Sequence, residues 1–197
     1  MSVAAIILAA GDGSRFGGAK QLARLDGRTL LEHVVEHALA VPAIEDIVVV
    51  LGARADAITG AVDLGPARIV HCTEWADGMS ASLRAGVAAL SPATEVALVL
   101  LADQPRITPQ VIAMVMDEAV GAGPDVDAVR ASYAGIPGHP VALGRALLRR
   151  IPELRGDTGA RDLLRDARVT LVEAGHLCDP TDIDTPNDLN ALEAITE

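Results

Sequence analysis

The sequence is nearly devoid of aromatic side chains: Phe16, Trp75 and Tyr133 are the three in 197 residues. Single-stranded nucleic acid is gripped by stacking bases on aromatic rings, so that function is excluded. Lysine is scarcer still. Lys20 is the one lysine among 16 basic residues, against 27 acidic ones and a formal charge of −11. Duplex binding depends on neutralising phosphates and is excluded on the same count. A local pocket on an acidic protein can still be positive, so a small anionic ligand remains open. Only two cysteines occur, Cys72 and Cys178, which is no disulfide framework and has no metal-ligand spacing. A reducing, cytoplasmic setting is expected. Long apolar runs are missing as well. The run Val3–Ala10 is too short to span a bilayer and has no basic leader, so neither a membrane segment nor a signal peptide is expected. With no linker, repeat or low-complexity stretch, residues 1–197 read as one domain.

What is present is an alternation of strands and helices. Val3–Ala10, Ile44–Leu51 and Glu95–Ala102 are continuous apolar runs of the kind found in buried parallel strands. Ala67–His71, Asp127–Ser132, His139–Leu143 and Arg168–Glu173 are shorter strand candidates. Thr29–Val41 has capping-box spacing, Thr29 to Glu32, ahead of an apolar stripe at Leu30, Leu31, Val34, Val35 and Ala38. Helices are also predicted over Ala53–Val62, Ser80–Leu90, Pro109–Val120 and from Thr185-Pro186 to Ile195, with two short ones before Arg168. The fold class is therefore α/β, a mostly parallel open sheet with helices on both faces. The loop-rich last third is expected to lay antiparallel strands over one edge.

Ligands of open α/β sheets sit beyond the carboxyl ends of the strands. The first such loop, Leu8-Ala9-Ala10-Gly11-Asp12-Gly13-Ser14-Arg15-Phe16-Gly17-Gly18-Ala19-Lys20, has four glycines within eight positions and two cations. Glycines let backbone N–H groups approach a phosphate, and Arg15 and Lys20 supply charge. The spacing fits neither the P-loop nor the dinucleotide fingerprint, and an ordinary glycine turn is the plain alternative. Asp103 ends the Glu95–Ala102 strand, where a carboxylate suits Mg²⁺ or merely caps a turn. Ser80 and Ser82 open a helix after Gly78, as nucleotide contacts or as a cap and a solvent-facing hydroxyl. Gly135–Pro140, with His139, and Gly156–Arg161, with Arg161, are either grips for a second anion or turns. His139 is open to an acid–base role or a structural one. Asp182 and Asp184 precede the last helix as metal contacts or dipole partners. His33-Val34-Val35-Glu36-His37 matches an inverted zinc-protease pattern, but it lies beside the packing stripe and lacks a further ligand, so zinc catalysis is set aside.

Taken in order, Leu8–Leu22, Gly78–Leu83, Leu101–Pro105, Gly138–Pro140, Gly156–Arg161 and Asp182–Pro186 resemble the MobA-like nucleotidyltransferases of molybdenum cofactor assembly. The nearest branch by resemblance is the cytidylyltransferases that join CMP to molybdopterin. Phe16 stands where that family often has methionine. The resemblance implies a Rossmann-like nucleotidyltransferase fold. It implies that Leu8, Ala9, Ala10, Gly11 and Gly13 border the nucleotide, with Ser80 and Ser82 helping to place it. Lys20 and Arg15 would hold the triphosphate, and Asp103 would carry Mg²⁺ with Asp182 or Asp184. His139 and Arg161 would face the pterin, and a molybdoenzyme would receive the product.

Under that resemblance the molybdopterin phosphate attacks the α-phosphorus of CTP. A phosphomonoester has its second pKa near ~6 and is mostly dianionic at neutral pH, so no strong base is needed. Ala10, where guanylyl-transferring relatives often have glycine, narrows the pocket toward a pyrimidine. Three alternatives stand beside this: an NAD(P)H-binding oxidoreductase on the same fold, a transferase for another phosphorylated acceptor, and a non-catalytic carrier of a pterin cofactor. The dinucleotide reading is weakened because no acidic residue is placed for its ribose.

Overall fold

The computed structural model describes residues 1–123, 125–156 and 160–194. The chain begins with strand β1 (Ser2–Ala9), then a 3₁₀ turn at Lys20–Leu22, a small hairpin of β2 (Arg24–Leu25) and β3 (Arg28–Thr29), and helix α1 (Leu30–Leu39). There follow β4 (Asp46–Leu51), α2 (Ala55–Thr59), β5 (Arg68–His71), α3 (Met79–Ala88), β6 (Thr94–Leu101) and α4 (Pro109–Gly121). The last third holds β7 (Ala128–Tyr133), β8 (Ile136–Gly144), α5 (Arg145–Leu148), α6 (Arg161–Arg165), β9 (Val169–Glu173) and α7 (Pro186–Glu193).

Seven strands form one sheet in the order β5-β4-β1-β6-β8-β7-β9. β5, β4, β1 and β6 run parallel to one another, and β7 pairs parallel with β9. β8 alone runs antiparallel, between β6 and β7. The antiparallel element thus lies inside the sheet and not over its edge. Pairing explains this: the tight Ala134-Gly135 turn returns β8 against β7, and β8 then supplies the edge that β6 needs.

β1 shows why helices cover both faces. Val3, Ala5, Ile7 and Ala9 pack into one cluster with Leu31, Val34 and Val35 of α1 and Val111, Ile112 and Val115 of α4. Ile6 and Ala10 pack into the other, with Leu83 of α3, Leu147 of α5 and Leu163 of α6. The period of two along a strand makes this division, and a continuous apolar run serves both faces. A smaller cluster of Leu25, Leu30, Ile183 and Leu192, with Phe16 against it, ties α7 to the hairpin and to the loop after β1.

Side-chain caps set the starts of α1, α4 and α7. Thr29 and Glu32 form the expected capping box, and Thr185 and Asp188 form a second. Thr108 accepts from Val111 N ahead of Pro109. α2 is only five residues, shorter than the Ala53–Val62 expectation. Its sequence buries one apolar side chain, Ile58, too little to hold a longer helix. The strand expected at His139–Leu143 is observed but starts earlier: β8 runs from Ile136 and takes in most of the Gly135–Pro140 segment that also read as a turn. The Ile195 end predicted for the last helix lies outside the described residues. Among the described residues no helix is long and apolar enough to cross a membrane.

Candidate active site

Chain order places the site. The chain leaves β1 for β4 and β5 on one side and returns to β6 on the other. The carboxyl ends of β1 and β6 are therefore a topological switch point, where α/β folds bind ligands. A cleft of about 410 Å³ opens there, lined by Leu8, Ala9, Ala10 and Gly11, by Arg15, Lys20 and Gln21, by Trp75, Met79 and Ser82, and by Asp103.

The loop after β1 is built around one carbonyl. Gly13 O accepts from the N–H groups of Phe16, Gly17 and Gly18 at 3.0–3.3 Å. Gly13 has φ +66°, and a Cβ there would fall 1.9 Å from Gly18 O. Gly13 therefore folds the loop and does not line the cleft. Gln21, 2% exposed, locks the loop to β1: its Nε2 donates to Ala9 O at 2.8 Å and to Gly11 O at 2.9 Å. Sequence reasoning missed this residue; a polar side chain directly after a 3₁₀ start is a weak signal. Replacing it with leucine leaves two carbonyls without their donor, at a cost of about 1–3 kcal/mol. We expect Gln21→Leu to lower the melting temperature by several degrees and to weaken nucleotide binding, both read by thermal shift with and without nucleotide; an unchanged shift on adding nucleotide would contradict the loop's role.

Lys20 is the hub of the charged wall. Its Nζ donates to Asp103 Oδ2 at 2.5 Å and to Asp184 Oδ1 at 2.9 Å. Arg15 Nη1 meets the other oxygen of Asp184 at 2.9 Å. Burial works against the ammonium, yet Asp103 and Asp184 outweigh it and hold its pKa above the ordinary value. Asp103 Oδ1 is buried without a hydrogen-bond partner among the described residues. Asp182, although exposed as a residue, has its carboxyl pushed up, first by burial and then by the nearby Asp103 charge.

The tail reaches this wall because of Ile183. Its side chain is fully buried in the small third cluster, and its N–H donates to Asp103 O at 2.9 Å. That fixes the flanking Asp182 and Asp184 on either side of the β6 end. The orphaned Asp103 Oδ1 and the crowded carboxylates fit a hard divalent cation. Among the described residues no three His, Cys, Asp or Glu gather as a metal cage. Mg²⁺ commonly takes only one or two carboxylates and completes its shell with water and substrate phosphates, so two carboxylates suffice.

The remaining sequence candidates divide. Ser82 lines the cleft, whereas Ser80 is fully buried and turns its Oγ toward Arg155 O at 3.4 Å. Neither caps α3, which starts from Gly78 without a side-chain cap. Trp75, missed as a candidate, forms a wall of the cleft, and Gly52 makes room for it. A Cβ on Gly52 would meet Trp75 Cβ at 2.6 Å and Ala10 O at 2.5 Å. His33 and His37 each commit a ring nitrogen to a carbonyl, of Leu25 and Ile107, both at 2.8 Å, consistent with a structural pair. His139 and Arg161 lie in an adjoining smaller cavity that shares Leu8 and Met79 with the cleft. Residues 157–159 of the Gly156–Arg161 motif lie outside the described residues.

Burial, and then the Arg130 charge, push the His139 pKa down to about 4. The ring is thus neutral at pH 7. The unfolded chain takes a proton near pH 6.5 that the folded chain refuses until about 4. The stabilisation is present above 6.5 and is lost as pH falls through that window. In urea unfolding at pH 7, 5.5 and 4, wild type should lose stability relative to His139→Gln as pH falls; a constant difference would contradict this.

Comparison with known proteins decides the family. The model of the MobA-like NTP transferase domain matches residues 5–172. The chain belongs to this family. Among curated relatives of this MobA-like NTP transferase, nicotine blue oxidoreductase of Paenarthrobacter nicotinovorans is 34% identical, over 97% of this chain and 93% of that protein. Molybdenum cofactor cytidylyltransferase of Escherichia coli (strain K12) is 27% identical, over 98% and 96%. A crystal structure from Mycobacterium tuberculosis H37Rv superposes with a TM-score of 0.84 at 27% identity, covering 98% of both chains. The Rossmann-like nucleotidyltransferase fold expected from the resemblance is the one observed.

Proposed function

We propose that this MobA-like NTP transferase moves CMP from CTP to the phosphate of a pterin acceptor of the molybdopterin type, releasing pyrophosphate. The observation carrying the proposal is the Lys20–Asp103–Asp184–Arg15 wall beneath the glycine-rich loop, at the switch point between β1 and β6. A lone ammonium held between two carboxylates is suited to meet a triphosphate, and the carboxylates to meet its cation. The molybdenum cofactor cytidylyltransferase relative supports the choice of CTP and pterin.

In the reaction an acceptor phosphate oxygen forms a bond to the α-phosphorus, and the bond to the bridging oxygen breaks. That oxygen leaves with the electron pair as part of pyrophosphate. The acceptor is already dianionic, so no residue need remove a proton. Loop N–H groups and Ser82 orient the nucleotide, Ala10 and Trp75 bound the base, and Lys20 and Arg15 neutralise the triphosphate. Mg²⁺, held by Asp103 with Asp182 or Asp184, would supply charge neutralisation on the phosphates. His139 and Arg161 would border the acceptor, and a molybdoenzyme would take up the product.

One observation favours a second reading, an NAD(P)H-binding oxidoreductase: the relative at 34% identity is named an oxidoreductase. Against it, β4 ends in Leu51-Gly52-Ala53, with no carboxylate at the strand end for a dinucleotide ribose. The test is pyrophosphate release from CTP, GTP, ATP and UTP with molybdopterin and Mg²⁺, beside nicotinamide oxidation in the same protein. Release fastest from CTP supports the proposal. Nicotinamide oxidation without pyrophosphate release would overturn it.

A further inference from the structure

Beside the nucleotide cleft lies a cavity of about 130 Å³, between β6, β8 and α6. Its walls are mainly apolar, from Leu83, Val99, Val141 and Leu164, yet Arg130, Arg161 and His139 also face it. The volume is several waters' worth and well below the roughly 300 Å³ at which drug-sized sites begin. It suits a compact group, not the ring system of a pterin.

Two guanidinium groups border this one small cavity. With 27 acidic residues against 16 basic ones, carboxylates are plentiful. Arg15, Arg68, Arg84, Arg165 and Arg168 each meet one. Arg130 and Arg161, like several other arginines, meet none among the described residues; what distinguishes them is that both line the cavity next to the nucleotide cleft. They lie near enough that the Arg161 charge adds to burial in lowering the Arg130 pKa. Arg130 is held by its own hairpin: Nε donates to Gly138 O at 3.0 Å and Nη2 to Pro137 O at 3.2 Å. This fixes the plane of the fork while leaving Nη1 without a partner among the described residues. Two like charges turned to one cavity, one of them rigidly set, cost free energy until an anion enters. Guanidinium forks match the oxygens of a phosphate.

We propose that Arg130 and Arg161 form an oxyanion subsite that takes the phosphate of a phosphomonoester acceptor. Its position, sharing Leu8 and Met79 with the nucleotide cleft, puts that phosphate beside the nucleotide. The anion site stands on the cavity and its charges; its assignment to the acceptor rests on the nucleotidyl-transfer reading. The other source of the same chemistry is the triphosphate tail of the nucleotide.

Calorimetric titration separates them, with phenyl phosphate as the acceptor-like probe and CTP with Mg²⁺ as the other. Arg130→Gln and Arg161→Gln should each weaken phenyl phosphate at least about fivefold, and Lys20→Met less than twofold. For CTP the pattern should reverse. Arg130→Lys should recover part of the affinity. Arg161 is exposed at the start of α6, so its variant serves even where Arg130→Gln fails to fold. Three outcomes would overturn the subsite: no phenyl phosphate binding by wild type, loss that follows Lys20→Met and not the arginines, or arginine variants that weaken CTP as much as phenyl phosphate. Failure of CTP to bind at all would instead remove the nucleotidyl-transfer reading and leave the phenyl phosphate result standing.

Discussion

Asp103→Ala should reduce pyrophosphate release by about 10²–10³-fold or more, the range expected when a preorganised electrostatic group is lost from a transition state. The fold should survive. Asp103 is held in the structure by its backbone carbonyl, which accepts from Ile183 N, and alanine keeps that bond. The substitution also removes Oδ1, a buried acceptor without a partner among the described residues, whose desolvation is uncompensated until a ligand arrives. That relief opposes the loss of the 2.5 Å contact to Lys20, which keeps Asp184 at 2.9 Å. The melting temperature should therefore stay within a few degrees of wild type. Steady-state pyrophosphate assays and differential scanning fluorimetry on the same preparation check both halves. Retained Mg²⁺-dependent turnover would refute the role of Asp103.

Lys20→Arg should cost about 10–100-fold in kcat/KM while keeping the charge. An ammonium is a compact point charge that can leave its carboxylates for a phosphate, whereas a guanidinium fork tends to lock onto a carboxylate with two parallel bonds. The site offers two such carboxylates, Asp103 and Asp184, so arginine would hold the resting arrangement. Folding should be little changed. The raised pKa of Lys20 means its ion-pair stabilisation is fully present below pH 10.5 and is lost as pH rises from there through the folded value, so assays near pH 8 report a charged side chain. Comparison with Lys20→Met separates geometry from charge. Equal activity in Lys20→Arg and wild type would show that charge alone matters.

Features written in local chemistry were legible from the sequence. The capping box at Thr29, the cap-and-proline pairs at Thr108-Pro109 and Thr185-Pro186, and the apolar run of β1 each appear where expected. Long-range pairing was less legible. The direction of β8 depends on partners at β6 and β7, so its place inside the sheet had no local signal. The β2–β3 hairpin did carry one, the Asp26-Gly27 dipeptide, with φ of 50° and 85° at the turn, and it was overlooked beside the larger glycine loop. In the site, Lys20, Asp103 and Asp184 were legible as residue types at strand and helix ends. Their union was not, because Asp184 lies 164 residues from Lys20 and reaches it through the burial of Ile183. Gln21, Trp75 and Arg130 were invisible for a similar reason: their roles are set by neighbours that fold alone brings near.

Transfer of CMP by this chain is tested by following the CMP itself. CTP labelled at the α-phosphate is incubated with Mg²⁺, molybdopterin and the wild-type protein, and the pterin product is isolated. Label is expected in the pterin fraction in a one-to-one ratio with pyrophosphate released, and at least about 10²-fold less of it with Asp103→Ala. Label that stays in CTP with active molybdopterin and Mg²⁺ present would contradict it.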